Sequence, residues 1–174
     1  MIAAVGDHVA DGAGADRLGV LYEEHAADAL RLAWLLTGDR AVAQDLVQDA
    51  FVKMAGRLHH LRRQEAFGAY LRVTVVNLAR MRGRRLKVER DYLARHQADL
   101  REQHHDRDVA EAESLRQALE RLPFRQRAAI VLRFYEDLPD EATAQVLGCR
   151  QTTVRSLIHR GLGTLRGELG EWAT

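Results

Sequence analysis

Cysteine occurs once, at Cys149, and proline twice, at Pro123 and Pro139. A lone cysteine forms no internal disulfide, and without a CxxC pair nothing seeds a zinc site. The histidine pairs His59-His60 and His104-His105 are adjacent in sequence. They cannot share a helix face, so no metal is expected. No stretch approaches the roughly 18 consecutive uncharged apolar residues that a membrane span needs. The segment from Met1 to Asp16 lacks a basic region followed by an apolar block, so no secretory signal is read and a cytoplasmic protein is expected. Neither a glycine-rich phosphate loop nor GxSxG nor HExxH occurs. The reading is therefore of a non-enzyme without a cofactor. Scarce proline and few β-branched runs favour helices.

What is present is enough apolar material for a core. The chain has 174 residues, 47% hydrophobic and 29% charged, which fits one sizeable domain or two small ones. Its net charge of +1 hides an asymmetry. Residues 1–50 carry 3 basic and 9 acidic side chains, residues 51–105 carry 13 and 5, and residues 106–174 carry 10 and 11. A basic middle after an acidic start suggests a polyanion at one place and a different partner at the other. Solvated helix faces of uneven composition are the alternative.

Residues 1–16 are small and acidic, without periodicity, and read as a flexible tail. Leu18, Leu21, Tyr22, Ala29, Leu32, Ala33 and Leu36 fall at helical spacing. Gly38 ends that helix and Asp39 caps the next. A second stripe runs from Leu46 through Phe51 to Leu58, and a third from Phe67 through Tyr70 to Met81. Three helices with short connections predict a small bundle over 17–87. Residues 88–109 are charged and poor in large apolar side chains, which reads as a linker. A second module over 110–170 has stripes around Leu115 to Leu122 and Phe124 to Tyr135. A short helix follows Pro139, Gly148 breaks the chain, and a last helix carries Val154, Leu157, Ile158 and Leu165. The fold class is all-α: two small helical domains joined by a charged linker.

Three constellations bear on function. Asp140 to Arg160 reads as a helix-turn-helix. Thr152, Arg155, Ser156 and His159 share the polar side of its second helix. Such a helix enters the DNA major groove, where an arginine binds guanine bidentately. Arg150 and Arg160 suit phosphates. A plain helical hairpin with a solvated face remains open. Next, Asn77, Arg80 and Arg84 form a line along the third helix, which Arg82, Arg85 and Lys87 widen into a patch. An amide there offers donors and an acceptor to a base edge, and arginine stacks on exposed bases. The alternative is an exposed basic helix end, which explains Asn77 poorly. Finally, Asp45, Gln48 and Asp49 lie on the outer side of the second helix. Paired carboxylates serve acid–base catalysis elsewhere, but no nucleophile or metal ligand is near in sequence. A protein-docking face is the better reading.

Three segments, TGDRAVAQDLVQDAF, then VNLAR with RR, then LPFRQRAAIVLRFYED with LGCRQTTVRS, together resemble the extracytoplasmic-function sigma factors of bacterial RNA polymerase. The resemblance covers about residues 18–169. Its wording around YEDLP and LGC is closest to the actinobacterial SigE-like subgroup. It implies a promoter-specific initiation factor with sigma domains 2 and 4. By motif position it implies that Asp45, Gln48, Asp49 and Phe51 dock on the β′ clamp helices of core polymerase. The loop containing His60, Leu61 and Arg62 would capture a flipped base of the −10 element, with Asn77, Arg80, Arg84 and Arg85 on the same strand. Arg150, Thr152, Arg155, Ser156, His159 and Arg160 would meet the −35 element. Domain 4 would also contact the β flap, and an anti-sigma factor is an implied partner. Promoter melting needs no covalent chemistry, only an exposed base held more tightly outside the stack than in it. A stand-alone helix-turn-helix regulator is the competing reading.

Overall fold

The computed structural model describes residues 12–57, 66–93 and 110–170. No strand occurs among the described residues, and none of their helices is long and apolar enough to cross a membrane. Among the described residues seven α-helices follow in order: α1 Gly12–Thr37, α2 Arg40–Ala55, α3 Phe67–Leu93, α4 Ala110–Arg121, α5 Phe124–Ile130, α6 Asp140–Leu147 and α7 Gln151–Gly170.

The first helix begins earlier than its apolar stripe. Gly12 to Asp16, expected within a flexible tail, already belong to α1. Ala13 and Ala15 favour helix and no proline interrupts the run, so the helix extends toward the N-terminus despite Gly14. The other end follows the sequence reading. Gly38 adopts φ 76, the left-handed conformation that ends a helix, and donates its N–H to the Trp34 carbonyl at 2.7 Å. Asp39 then accepts the Val42 N–H on Oδ1 at 2.9 Å and caps α2. A side chain at position 38 would meet both backbone strain and the Glu120 carboxylate. Gly38→Ala is expected to cost about 1 kcal/mol, measured by urea unfolding against the parent chain.

The three helices bury one seam each. Leu21, Leu32 and Leu36 of α1 meet Ala43, Leu46, Val47, Ala50, Phe51 and Met54 of α2, with Phe67, Leu71, Val75, Val76 and Ala79 of α3 closing the bundle. The i, i+3, i+4, i+7 spacing of the α2 set gives it a continuous apolar face. The seam on α3 is narrower than its sequence stripe. Tyr70 and Met81 are exposed, as is Tyr22 on α1, because they lie at the margins of their faces.

The second module is built on α5 and α7. Ala128, Ala129 and Ile130 of α5 are buried, as are Val154, Leu157 and Leu165 of α7. Gly161 permits the close approach, since a Cβ there would stand 2.6 Å from Ile130 Cδ1. Helix α5 continues into a π-helical turn, Val131–Tyr135, a feature without a sequence signal. In it the Glu136 N–H donates to the Val131 carbonyl at 3.1 Å. Leu115 and Tyr135, placed in apolar stripes by spacing, are exposed.

The two modules pack together over one continuous core cluster. Three arginines fasten them. Arg72 of α3 donates from Nε to Glu136 Oε2 at 2.6 Å. Arg127 of α5 donates to the Leu36 carbonyl at 2.8 Å, at the end of α1. Arg116 of α4 donates to the Gly38 carbonyl at 3.0 Å and pairs with Glu120 at 2.6 Å. The last carbonyls of a helix have no intrahelical partners, so Arg127 completes the C-terminus of α1 while Arg116 holds the turn just past it. Residues 94–109, most of the expected linker, lie outside the described residues, while α3 itself runs to Leu93.

Candidate nucleic-acid interface

Helix α6 ends at Gly148, which takes φ 60 as the left-handed cap, and Cys149 N–H returns to the Ala144 carbonyl at 3.0 Å. That turn sets α7 against α6. Thr143, Ala144 and Leu147 of α6 and Val154 and Leu157 of α7 are buried. With Val154 and Leu157 turned inward, Thr152, Arg155, Ser156, His159 and Arg160 are all exposed. Arg155, Ser156, His159 and Arg160 line a shallow surface depression of about 530 Å³. Ser156 Oγ donates to the Thr152 carbonyl at 2.9 Å, and Arg160 Nε to the Ser156 carbonyl at 3.1 Å. Arg150 is exposed in the turn before α7.

Arg155 is held from α6. Its Nε donates to Asp140 Oδ2 at 2.9 Å, and the other Asp140 oxygen lies 3.8 Å from Arg133 Nε. Arg133 also approaches Asp137 at 3.6 Å. Sequence reasoning saw Asp140 only as the start of the helix-turn-helix. Its partner stands fifteen residues later, and only the turn geometry joins them.

On α3, the Asn77 side chain is half-buried and its Oδ1 accepts from Arg80 at 3.0 Å. The amide that interrupts the apolar run thus has an internal duty: it orients an arginine. Arg84 and Arg85 are exposed one turn further on. His60, Leu61 and Arg62 lie outside the described residues. On α2, Asp45, Gln48 and Asp49 are exposed. Phe51 is not part of that face. It is 5% exposed, with its ring 4.8 Å from Tyr22 and 5.9 Å from Phe67. A large apolar ring at i+3 from Gln48 falls on the seam, so Phe51 acts on the surface only by supporting the helix that presents it. Among the described residues no group of three metal-ligating side chains occurs.

The family model for sigma-70 region 2 matches residues 21–88, and that for sigma-70 region 4 matches residues 112–165. The RNA polymerase sigma-E factor of Streptomyces coelicolor is 37% identical over 144 residues, spanning 80% of this chain and 78% of that protein. The chain belongs to the extracytoplasmic-function sigma factors of RNA polymerase. A second relative in that group, the ECF RNA polymerase sigma factor SigE of Mycolicibacterium smegmatis, is 31% identical over 175 residues, 97% of this chain and 67% of its own. In fold, this sigma factor is similar to RpoE from Bartonella quintana, solved with the anti-sigma factor NepR. The TM-score there is 0.68 at 22% identity, over 83% of this chain and 91% of that one. It is also similar to CnrH, solved with the cytosolic domain of CnrY, with a TM-score of 0.63 at 22% identity over 91% and 95% of the two chains. A stand-alone regulator built on the helix-turn-helix leaves the region 2 match without a purpose and is not favoured.

Proposed function

We propose that this sigma factor divides its work among three surfaces. The exposed Asp45, Gln48 and Asp49 of α2 dock on the β′ clamp helices of core polymerase. Asn77, Arg80, Arg84 and Arg85 of α3, with His60, Leu61 and Arg62, take the opened −10 strand. Helix α7 enters the major groove of the −35 duplex, with Arg155, Ser156 and His159 toward base edges and Arg150, Thr152 and Arg160 toward the backbone. Residues 17–87 then act as domain 2 and 110–170 as domain 4, with 88–109 between them and the β flap as the second polymerase contact. The factor works in the cytoplasm, without covalent chemistry of its own.

One observation carries the reading. Five polar side chains project from a single face of α7 while the opposite face is sealed into the core. A helix fixed on one side and offering an arginine, a serine and a histidine on the other matches the donors and acceptors of the major groove. The strand-side account rests on charge. Unstacking a base costs a few kcal/mol, which guanidinium contacts to phosphates and stacking on the freed base offset. Because RpoE and CnrH were each solved with a partner, NepR and CnrY, an anti-sigma factor belongs among the proposed partners here.

The test is transcription with reconstituted holoenzyme on promoter fragments selected from a genomic library. Specific run-off products are expected. Silence on every selected fragment, with binding to core intact, would sink the proposal. Within it, Arg155→Ala is expected to cost about 2 kcal/mol of promoter binding and to relax preference at one −35 position. Uniform weakening on all sequences, read by competition binding, would make Arg155 a phosphate contact instead.

A further inference from the structure

We infer that Asp140 is a positioning residue for base readout, holding the Arg155 guanidinium so that its outer edge is presented as a fork to a guanine. The inference rests on the reading that α7 lies in the −35 major groove. A guanidinium offers two edges. In this molecule the Nε edge of Arg155 is taken by Asp140 Oδ2 at 2.9 Å. Among the described residues the terminal nitrogens of Arg155 have no partner. Those terminal donors are the ones whose spacing matches the O6 and N7 acceptors of guanine.

The anchor is rigid where the arginine is not. Arg155 is 69% exposed, while Asp140 is 26% exposed. Asp140 is the first residue of α6, following Pro139, and that helix is fixed by the buried Thr143, Ala144 and Leu147. A carboxylate at a helix N-terminus sits favourably with the helix dipole. Arg133, in the preceding π-helical turn, approaches its other oxygen at 3.8 Å. The carboxylate therefore stands between two cations from two elements, Arg133 and the more exposed Arg155.

The physical consequence is pre-organisation. A free, exposed arginine samples many rotamers and engages phosphates, guanines and other acceptors alike. Fixing its Nε removes most of those arrangements before DNA arrives and favours the planar, two-point contact. The same carboxylate repels a phosphate brought to that side, which adds discrimination against a shifted register. Asp140 thus raises specificity more than affinity.

The test is a binding-site selection with full-length sigma factor in holoenzyme, comparing base profiles of the parent, Asp140→Ala, Asp140→Asn, Arg155→Ala and the double variant. Asp140→Ala is expected to lower the guanine preference at the Arg155 position about tenfold while changing overall affinity less than threefold. Asp140→Asn keeps an oxygen acceptor for Nε and is expected to retain most of the preference. In the Arg155→Ala background, Asp140→Ala should change nothing further. If Asp140→Ala folds poorly, Asp140→Ser keeps a side chain suited to a helix start but is too short to hold Nε, and its profile should match the alanine expectation. A parent-like profile for Asp140→Ala or Asp140→Ser, alongside a lost preference in Arg155→Ala, would overturn the positioning role and leave the α7 reading standing. An unchanged profile in Arg155→Ala would overturn both.

Discussion

Arg127→Ala is expected to destabilise the protein by about 3 kcal/mol. The Arg127 guanidinium reaches the Leu36 carbonyl at 2.8 Å and the Glu120 and Leu122 carbonyls at 3.3 and 3.4 Å. Three acceptors on two modules share one side chain. Burial pulls the Arg127 pKa down from its ordinary value, and the charge of Glu120 pushes back. Even lowered, the group stays cationic at neutral pH, because a guanidinium starts so high. Removing it strands helix-end carbonyls in a partly buried place and also loses the packing of its stem. Arg127→Lys should recover little, since a compact ammonium lacks the forked reach by which Nη1 and Nη2 span these carbonyls. Urea unfolding with a two-state fit decides the matter. A loss below about 0.5 kcal/mol for the alanine variant would show that water replaces the guanidinium freely.

Glu136→Lys should be as damaging, at about 3 kcal/mol, and its effect should be specific to the contact between modules. The Glu136 side chain is 9% exposed, that of Arg72 26%, and Glu136 accepts from Arg72 Nε at 2.6 Å, a part-buried pair. Breaking a buried ion pair leaves an uncompensated charge, and reversing one partner adds repulsion. Arg72→Glu in the same chain restores opposite signs and is expected to recover more than half of the loss. Additive losses in the double variant would mean that the two side chains act independently. A paired label on α2 and α7, read by energy transfer, should report separation of the modules in Glu136→Lys and its reversal in the swapped pair.

Local features of this fold were readable where a residue type has one conformational use. Gly38 followed by Asp39 marks a helix end and a helix start, and Gly148 marks the turn before α7. The α2 stripe and the outward face of α7 follow from spacing alone. Other features depend on encounters that no window of sequence contains. Arg72 meets Glu136 across 64 residues, Arg116 meets Gly38 across 78, and Arg127 meets Leu36 across 91. By composition these arginines belong to the solvated or nucleic-acid-facing charge, yet they hold the modules together. Phe51 shows the opposite confusion. Its motif places it beside Asp49, but an aromatic at that helical phase turns into the core. Asn77 stood out as a polar residue in an apolar run, and its bond to Arg80 supplies a local reason that spacing did not reveal.

The most direct measurement places a photo-crosslinking side chain singly at Asp45, Arg84 and His159 in holoenzyme bound to a selected promoter. The account predicts that position 45 labels the polymerase, position 84 the −10 strand, and position 159 the −35 duplex. Polymerase labelled from position 84, with DNA absent from both 84 and 159, would contradict it.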